Sequence, residues 1–186
     1  TRGARIAMLS GLARFARGVD VVTFDWENVP VESVRAIAKI RPVWPPPRSL
    51  AASQDRLSEK RLFQRLGIPV APYSAIETRA DLARAIATIG APGILKTRRL
   101  GYDGKGQVAI RRAADADDAF ELLHGRPLLY ERYVRFSREV SLVAARDRAG
   151  NIACYPLAAN VHEQGFLVET RAPYRQARLQ REAERH

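Results

Sequence analysis

The stretch I-L-K-T-R-R-L-G-Y-D-G-K-G-Q, residues 94–107, decides how the rest of the chain is read. A short apolar run ends in Lys96, a loop carrying Gly101, Gly104 and Gly106 follows, and Val108 to Ile110 resumes a β-prone pattern. The order is strand, glycine loop, strand. Glycine permits backbone conformations closed to other residues and leaves room for close approach, so successive N–H groups can converge on one anion. Lys96 before the loop and Lys105 within it add full positive charge. Such a loop is suited to a polyphosphate, and glycine loops of this length also close ordinary hairpins. It is neither a Walker A loop, which needs Gly-Lys-Ser/Thr opening a helix, nor a dinucleotide fingerprint.

The segments on either side set the context. Residues 1–18 read as a weakly amphipathic helix closed by Gly18, residues 20–24 as a strand, and residues 25–30 (D-W-E-N-V-P) as the loop leaving it. A helix follows over residues 32–40. This is the tail of an open α/β sheet, where ligands sit beyond the strand's carboxyl end, and Glu27 occupies that position. A helix-capping carboxylate would occupy it too. Val43-Trp44 reads as a last short strand, Pro45 to Pro47 as a stiff linker, and residues 54–66 as one helix ending at Gly67. Residues 70–75 form a strand, and Thr78-x-x-Asp81 caps a helix that stops at Gly90. Beyond the glycine hairpin come a helix over 115–123 and a strand over 128–134, the latter opening a new sheet. Residues 139–145 and 152–158 pair across the turn 147–151. Asn160, His162 and Gly165 fall in a loop, and a short strand covers 166–169. Residues 175–186 read as an exposed polar helix. The expected divisions are residues 1–47, 48–74, 75–127 and 128–186, giving an α/β portion followed by an α+β portion.

Composition narrows the possible functions. With 46% hydrophobic and 27% charged residues the chain is globular, and its single cysteine, Cys154, reads as core filler in a reducing compartment, the cytoplasm. No apolar run reaches the length of a membrane span. A formal charge of +11 raises nucleic acid as a partner, but the 31 basic residues are mostly scattered arginines, and no RNP-type strand or recognition helix is evident.

Six motifs in order carry a resemblance. They are D-W-E-N-V-P (25–30), Q-D-R (54–56), the lysine and G-Y-D-G-K-G-Q (96 and 101–107), E-R-Y-V (131–134) followed by Glu139, Y-P-L (155–157), and N-x-H (160–162). The chain resembles the ATP-grasp enzymes, in particular the branch that carboxylates aminoimidazole ribonucleotide in purine synthesis. The fold this implies is a partial ATP-grasp fold preceded by the end of a Rossmann-like domain. Tyr102 and Asp103 point to this branch; biotin carboxylases carry glycines and the formate-dependent transformylases serines there. Asp25 stands where the pattern has Glu.

The resemblance implies roles. Lys96 and Arg56 reach the ATP phosphates, and Gly101, Tyr102, Asp103, Gly104, Lys105, Gly106 and Gln107 form the lid over them. Glu131, Arg132, Tyr133 and Val134 border the adenine, Glu139 takes the ribose hydroxyls, and His162 lies near the phosphates, although the residues alone place it on a surface loop. Tyr102, Asp103 and Glu27 face the ribonucleotide. The implied reaction consumes ATP and bicarbonate through carboxyphosphate, with a homodimer left open. The family's opening G-G-G-Q-L-G segment has no counterpart, and its Mg²⁺ ligands are expected beyond residue 186, so no metal ligand is assigned here. A piece lacking both ends, inactive by itself, is the expectation. A nucleotide-binding remnant, another ATP-grasp ligase and a basic RNA-binding domain are the alternatives.

Overall fold

The computed structural model describes residues 2–101, 105–123, 125–163 and 165–186, with side chains from Met8 onward. The chain divides into two compact units, one of residues 1–70 with 98–100, the other of residues 71–97 with 101–186.

In the first unit, α1 (Arg2–Arg17) ends at Gly18 as its sequence requires. Helix α2 (Val31–Ala38) buries Val34 and Ile37, and α3 (Pro47–Ser53) buries Leu50. Together with Ala16 and Val43 these side chains form the core, flanked by Leu12, Val22, Phe24 and Ile40. The strands expected at 20–24 and 43–44 reduce to one parallel bridge, Val22 with Val43. Proline explains this: Pro42 and Pro45 flank Val43 and have no N–H to extend a ladder. The proline run is not simply a linker either, since Pro47 begins α3, where its missing N–H costs nothing. The helix expected over 54–66 is present as α4 (Arg56–Arg65), starting two residues later: Asp55 is extended (φ −122°, ψ 114°) and caps it by accepting from the amides of Leu57 and Ser58.

The second unit opens with β1 (Tyr73–Ile76), α5 (Arg79–Ile89), β2 (Gly93–Thr97), β3 (Gln107–Ile110), α6 (Ala116–Leu123) and β4 (Leu128–Arg132). The Thr78–Asp81 capping box at the start of α5 is present in both directions. The four strands form one antiparallel sheet in the order β1-β4-β2-β3. Thus β4 does not open a new sheet; it inserts between β1 and β2. Its sequence fits a central position, because Leu128, Leu129 and Tyr130 are all fully buried. Helices α5 and α6 cover one face, where Ile76, Leu95, Ile110, Leu128 and Tyr130 meet Leu82, Ala85, Ile86 and Ala119. Arg79 ties the two helices together, reaching Asp117 at 3.1 Å and Glu121, with its guanidinium over Phe120.

Farther along the same unit lie β5 (Glu139–Ser141), β6 (Ala144–Arg146), β7 (Ile152–Cys154), β8 (Ala158–Glu163), β9 (Phe166–Arg171) and α7 (Ala177–Glu184). The pair expected from 139–145 and 152–158 is split: β6 pairs with β7, whereas β5 pairs with β8 and β8 with β9. Asn160 and His162 consequently stand on a strand rather than in a loop. A ladder on each side satisfies the β8 backbone and overrides its weak local pattern. Cys154 is exposed, not core filler. Helix α7 is anchored through Gln180, which accepts from the Leu157 amide at 2.7 Å.

Candidate functional site

Strand alternation creates the central feature of the second unit. Leu95 and Tyr130 point into the helices, so Lys96, Leu129 and Glu131 point to the opposite face. Lys96 is opposite Leu129, which makes Glu131 its diagonal neighbour, within reach of a long side chain. Lys96 Nζ lies 3.0 Å from Glu131 Oε2, with the two side chains 18% and 14% exposed. A cation and a carboxylate are thus held together, with limited access to water, on the sheet face opposite α5 and α6.

The glycine loop leaves directly from this pair. Gln107 pairs with Lys96, and the Thr97 amide donates to the Gly106 carbonyl at 2.7 Å. Gly106 has φ +71°, and a Cβ there would sit 2.6 Å from Thr97 Oγ1, so the position requires glycine twice over. Thr97 Oγ1 is buried and has no hydrogen-bond partner among the described residues. Lys105 is exposed and Gly101 half-buried. Tyr102, Asp103 and Gly104 lie outside the described residues.

At the end of β4 and just past it, Arg132, Tyr133 and Val134 are exposed; the Arg132 amide donates to the Pro72 carbonyl and the Tyr133 amide to that of Pro92. Glu139 on β5 and His162 on β8 are brought together, with Oε1 3.2 Å from Nδ1. Asn160, facing Glu139 across the ladder, donates to Ser141 Oγ and accepts from Thr170 Oγ1. These five polar side chains form a continuous strip across β5, β8 and β9.

In the first unit, Glu27 is exposed on the loop leaving the Val22 bridge. Gln54 holds that loop, its Nε2 donating to the carbonyls of Glu27 and Val29 at 2.6 Å each. Beside it opens a cavity of about 480 Å³ bordered by Asn28, Glu32, Arg35, Gln54, Arg99 and Leu100. Arg56 opens α4. The preceding Asp55 receives Arg98 through both carboxylate oxygens, Nε at 3.1 Å and Nη2 at 2.7 Å. Gln54, Asp55 and Arg98 organise this part of the chain, a role the sequence reading did not give them. The signal available was an Asp directly before the apolar stripe of α4, a residue type that caps helix starts.

Burial opposes the charge on Asp55, but the hydrogen bond from Arg98, the amides of Ser58 and Leu57, and the Arg98 charge outweigh it and hold the carboxyl below its usual range. Because the folded state releases this proton more readily than the unfolded chain, Asp55 stabilises the fold fully above about pH 4. That contribution fades as pH falls through the lower folded value. Denaturant titrations should therefore show a stability gap between the parent and Asp55→Asn at pH 7 that narrows at pH 3. A gap independent of pH would contradict the assignment.

Among the described residues no three His, Cys, Asp or Glu side chains group as a metal site, and no helix is long and apolar enough to cross a membrane.

Residues 61–186 match the ATP-grasp domain, and residues 3–54 match the ribonucleotide synthetase preATP-grasp domain. The chain belongs to the ATP-grasp family. Among its relatives are N5-carboxyaminoimidazole ribonucleotide synthases. That of Brucella melitensis is 44% identical over 164 residues, covering 87% of this chain and 45% of the relative. That of Pseudomonas aeruginosa is 46% identical over 156 residues, covering 84% and 43%. The crystal structure of the Thermus thermophilus synthetase superposes with a TM-score of 0.86 at 42% identity, over 95% of this chain and 48% of that one. The Staphylococcus aureus enzyme complexed with ADP gives 0.89 at 31% identity, over 95% and 47%. The chain spans about half the length of the relatives it matches.

Proposed function

We propose that this chain serves the ATP- and bicarbonate-dependent carboxylation of 5-aminoimidazole ribonucleotide to its N5-carboxy form in the cytoplasm. The observation that carries the reading is the Lys96–Glu131 pair beside the glycine loop, in a chain 44–46% identical to synthases of that name. Lys96 offers a compact ammonium to phosphate oxygens. Glu131 and the backbone of Arg132, Tyr133 and Val134 border the adenine. Glu139 and His162, already 3.2 Å apart, fit neighbouring groups of one ligand, the ribose and its phosphates. Arg56 is the second phosphate cation. Residues 75–127, with the loop at 101–107, are the lid portion of the grasp, and Tyr102, Asp103 and Glu27 serve the ribonucleotide. The cavity beside the Glu27 loop supplies guanidinium and amide donors suited to such a substrate.

In this reaction a bicarbonate oxygen attacks the γ-phosphorus of ATP and ADP departs, leaving carboxyphosphate. The substrate amine then takes up the carboxyl carbon, inorganic phosphate leaves, and the nitrogen gives up a proton. Positioning and charge neutralisation dominate such a transfer. The reaction class implies Mg²⁺, but the described residues offer no carboxylate cluster that fits it, so no residue is assigned to the metal.

Phosphate release from Mg-ATP and bicarbonate, with and without the ribonucleotide, tests the proposal. Release stimulated by the ribonucleotide is the expected result for an assembly that includes this chain. ATP binding with no release under any condition would make the chain a nucleotide-binding unit and reject the carboxylation.

A further inference from the structure

The start of α4 is held more elaborately than a helix start requires. The first amides of any helix lack intrahelical partners, and an N-cap side chain satisfies one or two of them. Asp55 does this for Leu57 and Ser58. Asn or Ser would cap as well as Asp, so capping alone does not account for a carboxylate. Its charge has another use: both oxygens receive the Arg98 fork, and the two side chains are only 13% and 21% exposed. Arg98 then returns the contact through its backbone, its carbonyl accepting the Arg56 amide at 3.0 Å. A closed ring results, running from the Asp55 carboxylate to the Arg98 guanidinium, along Arg98 to its carbonyl, across to the Arg56 amide and back through one peptide bond. Arg56 enters the ring through its backbone amide, so the ring fixes the point from which its side chain departs. A bidentate pair fixes orientation as well as distance, and a pair this sheltered is held less by net attraction than by the geometry it defines.

We propose that Asp55 and Arg98 are positioning residues for Arg56, fixing the first turn of α4 so that its guanidinium meets nucleotide phosphate in one geometry. This rests on the reading of Arg56 as a phosphate cation. Rotational freedom at the helix start would spread a long arginine over many placements, and losing a single placement weakens binding without removing any contact group.

The test compares the dissociation constants of ATP and adenosine by calorimetry for the chain and for Arg56→Ala, Asp55→Asn, Arg98→Gln and the Asp55→Asn/Arg56→Ala double variant. Asp55→Asn keeps the cap, and melting curves verify that each variant is folded. Arg56→Ala should weaken ATP binding by about 10- to 100-fold and leave adenosine unchanged. Asp55→Asn and Arg98→Gln should each weaken ATP about tenfold, again sparing adenosine, and the double variant should be no worse than Arg56→Ala alone. Parental ATP affinity in Asp55→Asn and Arg98→Gln, equal losses of ATP and adenosine, or additive losses in the double variant would overturn the inference. ATP binding unaffected by Arg56→Ala would overturn the reading of Arg56 itself, and a chain that binds neither ligand would overturn the nucleotide site.

Discussion

Replacing Lys96 with alanine should abolish the nucleotide-induced protection of the Gly101, Lys105, Gly106 and Gln107 amides in hydrogen exchange. The reasoning starts from the strand that carries the lysine. Lys96 ends the run that enters the glycine loop, it pairs with Gln107 across the hairpin, and its ammonium sits 3.0 Å from Glu131. In the proposed site, nucleotide would exchange that carboxylate partner for phosphate oxygens, and the same charge would then hold the loop. Losing a charge-assisted hydrogen bond of this kind costs about 1.5–3 kcal/mol, or roughly 10- to 100-fold in affinity. Lys96→Arg keeps the charge on a planar, longer head and should restore only part of the effect. Protection that persists unchanged in Lys96→Ala would remove the glycine loop from the nucleotide site.

Gly93→Ala should strongly destabilise the second unit. Gly93 opens β2 beneath Tyr130, and a Cβ there would lie 2.2 Å from the tyrosine hydroxyl, 2.3 Å from Cζ and 2.5 Å from Cε2. The ring cannot withdraw: Tyr130 is fully buried among the helix-facing core, and its hydroxyl donates to the Gly90 carbonyl at 2.9 Å. Overpacking of this kind costs about 3 kcal/mol, which in a domain of this size lowers the melting temperature by about 10 °C. Tyr130→Phe alone should cost about 1 kcal/mol for the lost hydrogen bond. It should not rescue Gly93→Ala, because the ring remains, whereas Tyr130→Leu in the Gly93→Ala background should recover part of the loss. A Gly93→Ala chain melting within about 2 °C of the parent would contradict the packing described here.

What could be read from the residues follows the range of the interactions involved. The Thr78–Asp81 box, the stop at Gly90 and the glycine hairpin rest on contacts a few residues apart, and each stands where local chemistry places it. Lys96 and Glu131 were both recognisable as candidates, but their pairing depends on β4 inserting beside β2, which no local pattern encodes. The Gln54 and Asp55 contacts span 25 to 43 residues and use polar side chains of a kind that usually faces solvent. The strand at 20–24 failed for a reason visible in sequence, the prolines around Val43. His162 was misplaced in a loop because pairing on both sides, and not propensity, makes β8 a strand.

The position of β4 also has a consequence for how the chain acquires its structure. The β2–β3 hairpin can close as soon as its own eighteen or so residues exist, since its loop is short. Strand β1 precedes it in the chain yet touches neither of its strands, because its ladder partner is β4, the last of the four to emerge. A nascent chain ending before Leu128 therefore has an orphaned first strand and a hairpin with both outer edges bare, of which β4 later covers that of β2. Pairing of β4 with β2 is what delivers Glu131 to Lys96, and its other edge takes up β1. A chain that stops short of β4 therefore lacks the ion pair along with the centre of its sheet.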